Sequence, residues 1–210
     1  MIIIGAKGFA KELLEVCHQL GRTENLVFFD NVSPDLPELL FGQFPIIRSE
    51  DEVKAHFNTH SNDFALGLGN PKLREQMCLL FESWGGKPNS LISPKATLGN
   101  FNNTIEEGVC IMTGTVLTND IWVEKGVLIN LNCTLGHDVN VGAFSEICPG
   151  VHLSGHVKIG KNCFLGTGAV ILPGITLGSG TVVAAGSVVT SNVPPNCLVA
   201  GVPAQIKKRL

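Results

Sequence analysis

The sequence predicts two domains in tandem: a small α/β unit with a parallel sheet over residues 1–91, and a parallel β-solenoid over residues 92–210. Three observations predict this. Aliphatic residues recur every six positions without a break from Ile105 to Val189. The first ninety residues instead alternate short apolar runs with stretches of helical spacing. Only 16% of residues are charged while 44% are hydrophobic, so the chain's surfaces are largely packed against something.

The first domain reads as strand, turn, helix, strand. Met1–Ile4 is an apolar strand, and Gly5-Ala6-Lys7-Gly8 is a turn. Phe9 to Leu20 carry helical spacing through Leu13, Val16, Cys17 and Leu20, and stop at Gly21. Leu26–Phe29 is a second strand ending in Asp30-Asn31. A loop and a short helix from Glu50 to about Phe57 follow, then a third strand, Phe64–Leu68, ending in Gly69-Asn70. Pro71 opens a helix to about Trp84, and Ser90-Leu91-Ile92 leads into the solenoid. Strands alternating with helices imply a parallel sheet, whose ligands bind at the carboxyl ends of the strands. Gly5–Gly8, Asp30-Asn31 and Gly69-Asn70 all fall there. The first turn offers backbone N–H groups and a helix N-terminus to a phosphate, or is a plain structural turn. Asp30 accepts hydrogen bonds from a ribose or a base, or caps its strand.

In the second domain each hexad has its aliphatic residue, then Gly, Asn or Asp three positions on, in all but two cases, Phe144 and His156. The next position is small or β-branched throughout. Gly, Asn and Asp enter the left-handed backbone region cheaply, so each hexad is a short strand plus a bend. Six residues span under ~20 Å and bury nothing alone, so the hexads must stack. Fifteen consecutive hexads of this kind resemble the hexapeptide repeat of the left-handed β-helix, a triangular prism. That resemblance implies an 18-residue coil and a left-handed crossover, against the usual rule.

Given 18-residue coils, the outward positions fall into three columns. Cys110, Leu128, Glu146, Phe164 and Val182 form one, and Val116, Thr134, His152, Val170 and Val188 a second. Trp122, Asn140, Lys158, Thr176 and Pro194 form a third, mostly polar column. Two apolar columns on a prism predict subunit contacts, and a closed ring of like subunits is the natural assembly.

A net charge of −3 offers no broad basic surface, which argues against nucleic acid as a partner. No apolar run reaches the ~20 residues of a membrane span. The opening Met1–Gly5 lacks the cationic flank and cleavage site of a signal peptide. Seven cysteines without a CxxC pair predict free thiols in a reducing cytoplasm; Cys133 and Cys163 sit at inward repeat positions.

The combination is specific. A Rossmann-like start, Gly5-Ala6-Lys7-Gly8-Phe9-Ala10-Lys11-Glu12, is followed by Asp30-Asn31 and by Gly67-Leu68-Gly69-Asn70. A hexapeptide prism with a mid-length His then closes on Val193-Pro194-Pro195 and Gly201-Val202-Pro203-Ala204. Over essentially its whole length the chain resembles the bacterial PglD/NeuD-like sugar acetyltransferases. The resemblance implies an N-terminal domain that binds a nucleotide-linked sugar, a homotrimer, and acetyl-CoA between neighbouring prisms. It implies a catalytic His at His137 with Asp138 as its acidic partner, and a substrate contact at Asn130. Nucleotide-sugar contacts fall on Gly5, Ala6, Lys7, Gly8, Asp30, Asn31, Gly69 and Asn70. Acetyl-CoA contacts fall on Glu146, Gly155, Thr167 and Ala185, with the Gly155 N–H meeting the thioester carbonyl. The chain departs from the family pattern at Phe9 and Glu146, where the family often has His.

The residues support the same chemistry. Acetyl transfer needs a base and a stabiliser for the developing oxyanion, and a neutral imidazole is a suitable base. His137 stands at an outward corner in one column with Asn119, Gly155 and Pro173. With coils about 4.8 Å apart, Gly155 leaves an open space over the imidazole for a thioester. Asp138 orients His137, or stacks on His156 one coil above as a structural pair. His152 reads as an interface residue. The spacing of His137, His152 and His156 does not match the three converging histidines of the zinc-dependent prisms, so no metal is expected. Lys207 and Lys208 supply charge for the phosphates of coenzyme A, or form a solvated tail. N-acetylation of a nucleotide-linked amino sugar is the leading function. O-acetylation of a sugar such as sialic acid, or a non-catalytic trimeric scaffold, are the alternatives.

Overall fold

The computed structural model describes residues 1–210. Its first sheet is built from β1 (Ile2–Ile4), β2 (Val27–Phe29), β3 (Leu39–Leu40), β4 (Phe44–Ile47), β5 (Asp63–Leu66) and β6 (Lys87–Pro88). They run in the order β3-β4-β2-β1-β5-β6, parallel except for the β3–β4 hairpin. That hairpin lies in the stretch expected to be loop. Phe41 and Gly42 both hold positive φ and turn the chain there, and β4 then pairs parallel with β2.

Helices α1 (Gly8–Gln19), α2 (Glu50–Thr59) and α3 (Pro71–Ser83) flank the sheet. Ser49 and Glu52 form a reciprocal capping box at the start of α2, and Asn70 caps α3 with Pro71 next to it. Gly67 allows β5 to lie close to β1: a Cβ there would be 2.6 Å from the Ile4 carbonyl oxygen.

From β7 (Leu91–Ile92) to β23 (Val188–Val189) the chain is a left-handed parallel β-helix of two-residue strands in three sheets. The register is the expected 18 residues, with Leu128 opposite Glu146, Thr134 opposite His152 and Asn140 opposite Lys158. The three sheets are called here the first, second and third faces, in the order of the three columns above. From Gly108 to Gly186 every bend position has positive φ, including Phe144 and His156. The two inward positions of each hexad fill the prism with one continuous core. The end is a hairpin of β24 (Cys197–Gly201) and β25 (Ala204–Arg209) that extends the first face. Lys207 and Lys208 therefore lie in a strand and not in a loose tail.

One expectation is overturned for part of a column, and Phe164 and Val182 farther along it stay half-buried. The first column was expected at subunit contacts, but Cys110 and Leu128 are covered by the first domain of the same chain. Leu128 is 1% exposed, in one cluster with Met1, Ile3, Ala6 and Leu13. Sequence alone could not tell which apolar column the α/β domain would cover. The second column remains open: Val116 and His152 are exposed, and Val170 and Val188 half-buried.

Candidate active site

His137 and Asp138 follow the strand Thr134–Leu135 and stand on the corner between the second and third faces. Asp138 takes the left-handed bend conformation, with φ 59°. Its Oδ2 lies 2.7 Å from His137 Nδ1. With Asp138 ionised, that contact places a proton on Nδ1 and leaves the Nε2 lone pair free to act as a base. One coil above, His156 Nδ1 is 3.5 Å from the same Oδ2, and the two imidazoles meet edge to face at 4.8 Å. Both pairings weighed from the sequence therefore occur, with the His137 contact the shorter.

The space expected above His137 is filled by the ring itself. The imidazole lies across Gly155, where a Cβ would be 2.6 Å from Nε2. The Gly155 N–H makes no hydrogen bond within the chain. A free backbone donor thus sits beside the His137 imidazole, on a corner open to solvent.

The other expected residues lie elsewhere. Asn130 is buried at the corner between the first and second faces, and its Oδ1 accepts from the Leu131 N–H. Thr167 and Ala185 stack exposed on that same corner, 18 residues apart. A single chain therefore does not bring them together with His137 and Gly155.

Glu146 belongs to the first face and packs over Gly69, whose Cβ would lie 3.1 Å from Oε1. Its Oε2 has no partner, nor do Nε and Nη1 of the buried Arg74 nearby. Burial pushes the Glu146 carboxyl up to about 7, with Arg74 opposing. Sequence reasoning passed over Arg74; only its place in the apolar face of α3 hinted at burial. A cleft of about 690 Å³ runs from Gly69–Lys72 past Glu146 and Phe164 to Asn196 and Leu210. It follows the first face and does not reach His137.

In the first domain, Gly5 holds φ +95° and a Cβ there would touch the Gly67 carbonyl at 3.0 Å. Ala6 is fully buried, so only its backbone faces the turn, whereas Lys7 and Gly8 are exposed. No side chain caps α1 at Lys7, which leaves its first N–H groups available. The buried Asp30 serves as a cap: its Oδ1 accepts from the Val32 and Ser33 N–H groups at 3.1 and 2.9 Å. The Asn70 side chain likewise accepts from the Leu73 N–H. Beside Asp30 and the exposed Asn31, a small cavity of about 110 Å³ lies between Gly5, Phe29, Leu68 and Met77.

No helix is long and apolar enough to cross a membrane, and all seven cysteines are buried free thiols.

Residues 1–79 match the family model of the PglD N-terminal domain, and residues 156–191 match that of the hexapeptide repeat of succinyl-transferase. The chain superposes on a mutant of perosamine N-acetyltransferase from Caulobacter crescentus, in complex with CoA and GDP-perosamine. The TM-score is 0.91 at 29% identity, over 99% of this chain and 96% of that one. It also superposes on the acetyltransferase domain of PglB from Neisseria gonorrhoeae FA1090, with a TM-score of 0.88 at 32% identity over 98% of each chain. That domain has also been solved in complex with acetyl coenzyme A. Galactoside O-acetyltransferase from Escherichia coli (strain K12) is 28% identical over 170 residues, 70% of this chain and 83% of that protein. The chain spans about half or less of the length of other curated acetyltransferases that it matches. With both halves matched in order, and the whole chain aligned at 32% identity with a known acetyltransferase domain, the protein belongs to the PglD/NeuD-like bacterial sugar acetyltransferases and uses acetyl-CoA.

Proposed function

We propose that the protein N-acetylates an amino sugar carried on a nucleoside diphosphate, with His137 as general base and direct transfer from acetyl-CoA. The observation that carries this reading is His137 itself, its Nδ1 held by Asp138 and its Nε2 laid across Gly155. The sugar amine attacks the thioester carbonyl carbon, the N–C bond forms, and the C–S bond breaks. His137 Nε2 takes the amine proton and returns it to the leaving thiolate, while the Gly155 N–H donates to the oxyanion. Amine acceptance is favoured because the match to an N-acetyltransferase in complex with GDP-perosamine covers 99% of the chain.

The nucleotide occupies the strand ends of the first domain. The free N–H groups of α1 receive the diphosphate, and the cavity beside Asp30 and Asn31 receives the base. Asp30 contributes through the turn that its carboxylate holds. The cleft over Glu146 and Phe164 and the His137 corner belong to different faces, so the working site is formed by two subunits of a trimer. Acetyl-CoA lies between their prisms, in reach of Thr167 and Ala185, with Lys207 and Lys208 near its phosphates. The protein works in the cytoplasm, where nucleotide-linked sugars for surface glycans are made.

The test is acetyl-CoA consumption over a panel of GDP-, UDP- and dTDP-amino sugars, with sialic acid and a galactoside included. Turnover of a nucleotide amino sugar well above that of the hydroxyl acceptors is expected. Preference for a hydroxyl acceptor would refute amine specificity.

A further inference from the structure

We propose that His156 is a positioning residue for the base His137, holding its carboxylate partner and its ring in place. The proposal rests on the reading of His137 as the base.

Two residues break the rule that bends in this prism are Gly, Asn or Asp: Phe144 and His156. Both hold the left-handed conformation, with φ 57° and 61°, which costs conformational energy for such side chains. Phe144 has an evident return. Its ring is buried against the first domain, in one cluster with Phe29, Phe64 and Phe81. His156 has none of this. Its side chain is 63% exposed and lies against His137 and Asp138. A strained, solvent-facing histidine set beside the base and its carboxylate is placed for chemistry and not for packing.

The geometry gives it two effects. Asp138 Oδ2 faces His137 Nδ1 at 2.7 Å and His156 Nδ1 at 3.5 Å, so the carboxylate is held between two imidazoles. The near-perpendicular contact of the two rings, at 87° and 4.8 Å between centroids, also keeps the His137 ring on Gly155. The other charges near the corner are Asp120, two coils below in the same column with its Oδ1 taken by Asn102, and Lys158 on the third face. Neither contacts His156.

His156→Asn tests this, because Asn suits the left-handed bend and the fold should persist with an unchanged or higher melting temperature. The decisive readout is the ring-nitrogen NMR spectrum of His137 in the protein without ligands, so it does not depend on any assumed substrate. The Nδ1-protonated tautomer that faces Asp138 should give way to a mixture of the two tautomers as the carboxylate loses its second imidazole partner. With the best acceptor of the panel, kcat should fall about tenfold at neutral pH, the cost of a loosened base, while KM for acetyl-CoA stays within twofold. An unchanged His137 tautomer signal in His156→Asn and in His156→Gly overturns the proposal. If His137→Ala keeps its turnover, the base assignment fails separately, and the tautomer signal still decides whether His156 acts on His137.

Discussion

Gly155→Ala asks how closely His137, the proposed base, must lie on the backbone donor. The added Cβ would stand 2.6 Å from His137 Nε2, about 0.8 Å inside the distance at which ordinary contact begins. The imidazole is the group that must yield, because it is exposed whereas the coil beneath is packed. Gly155 does not occupy the left-handed region, so alanine is tolerated by the backbone. Stability should change by no more than about 0.5 kcal/mol, as at other surface positions. A ring displaced by nearly an ångström loses its approach to the thioester, and misplacement on that scale costs about 100-fold in rate. Thermal melts together with kcat/KM for the best acceptor measure both. Turnover within threefold of the parent would refute the claim that His137 works from its seat on Gly155. A large fall in melting temperature would refute the claim that the ring and not the coil gives way.

Glu146→Gln should stabilise the protein at pH 8 and change little at pH 4. Burial raises the Glu146 carboxyl to about 7 in the folded chain, so its ionisation penalty is absent below the unfolded value, grows as pH rises, and is complete above about 7. It is worth up to about 3 kcal/mol, and a Gln variant that melts lower than the parent at pH 8 would contradict this. Phe144→Ala should destabilise by about 3 kcal/mol through lost aromatic burial between the domains and speed proteolysis of the first ninety residues; urea unfolding and limited digestion report it. Light scattering should give a trimer at micromolar concentration, with the open second face at the contact; a stable monomer would remove the two-subunit site.

Much of this was legible in the sequence because each level repeated the same instruction. The six-residue period, the bend residues and the small inward positions all specify one prism, and the register follows from stacking. The helix starts were marked by the glycine turn before Phe9 and by Pro71, each within a residue of the start seen in the structure. The hairpin through Phe41-Gly42 was not, since two residues of β3 form no periodic signal. Leu128 misled because an apolar outward column looks the same whether a second domain or a second subunit covers it. At the site, the 18-residue coil was enough to bring His137, Gly155, Asp138 and His156 to one corner. It could not show that the imidazole leans onto Gly155, or that one carboxylate oxygen faces both histidines, because those depend on rotamers. Asp30 read equally well as a ligand contact and as a strand cap, and Asn70 read as a ligand contact. Their side-chain oxygens turn out to be held by backbone N–H groups, a contact that residue type alone does not reveal.

The most direct test of the central claim is His137→Ala, measured as turnover beside acetyl-CoA affinity. An exposed corner side chain contributes little to the core, so the melting temperature and the acetyl-CoA Kd should stay near those of the parent. Turnover of the best amino-sugar acceptor should fall by ~100-fold or more, the usual scale for loss of a general base. A His137→Ala protein that keeps most of its turnover would contradict the account.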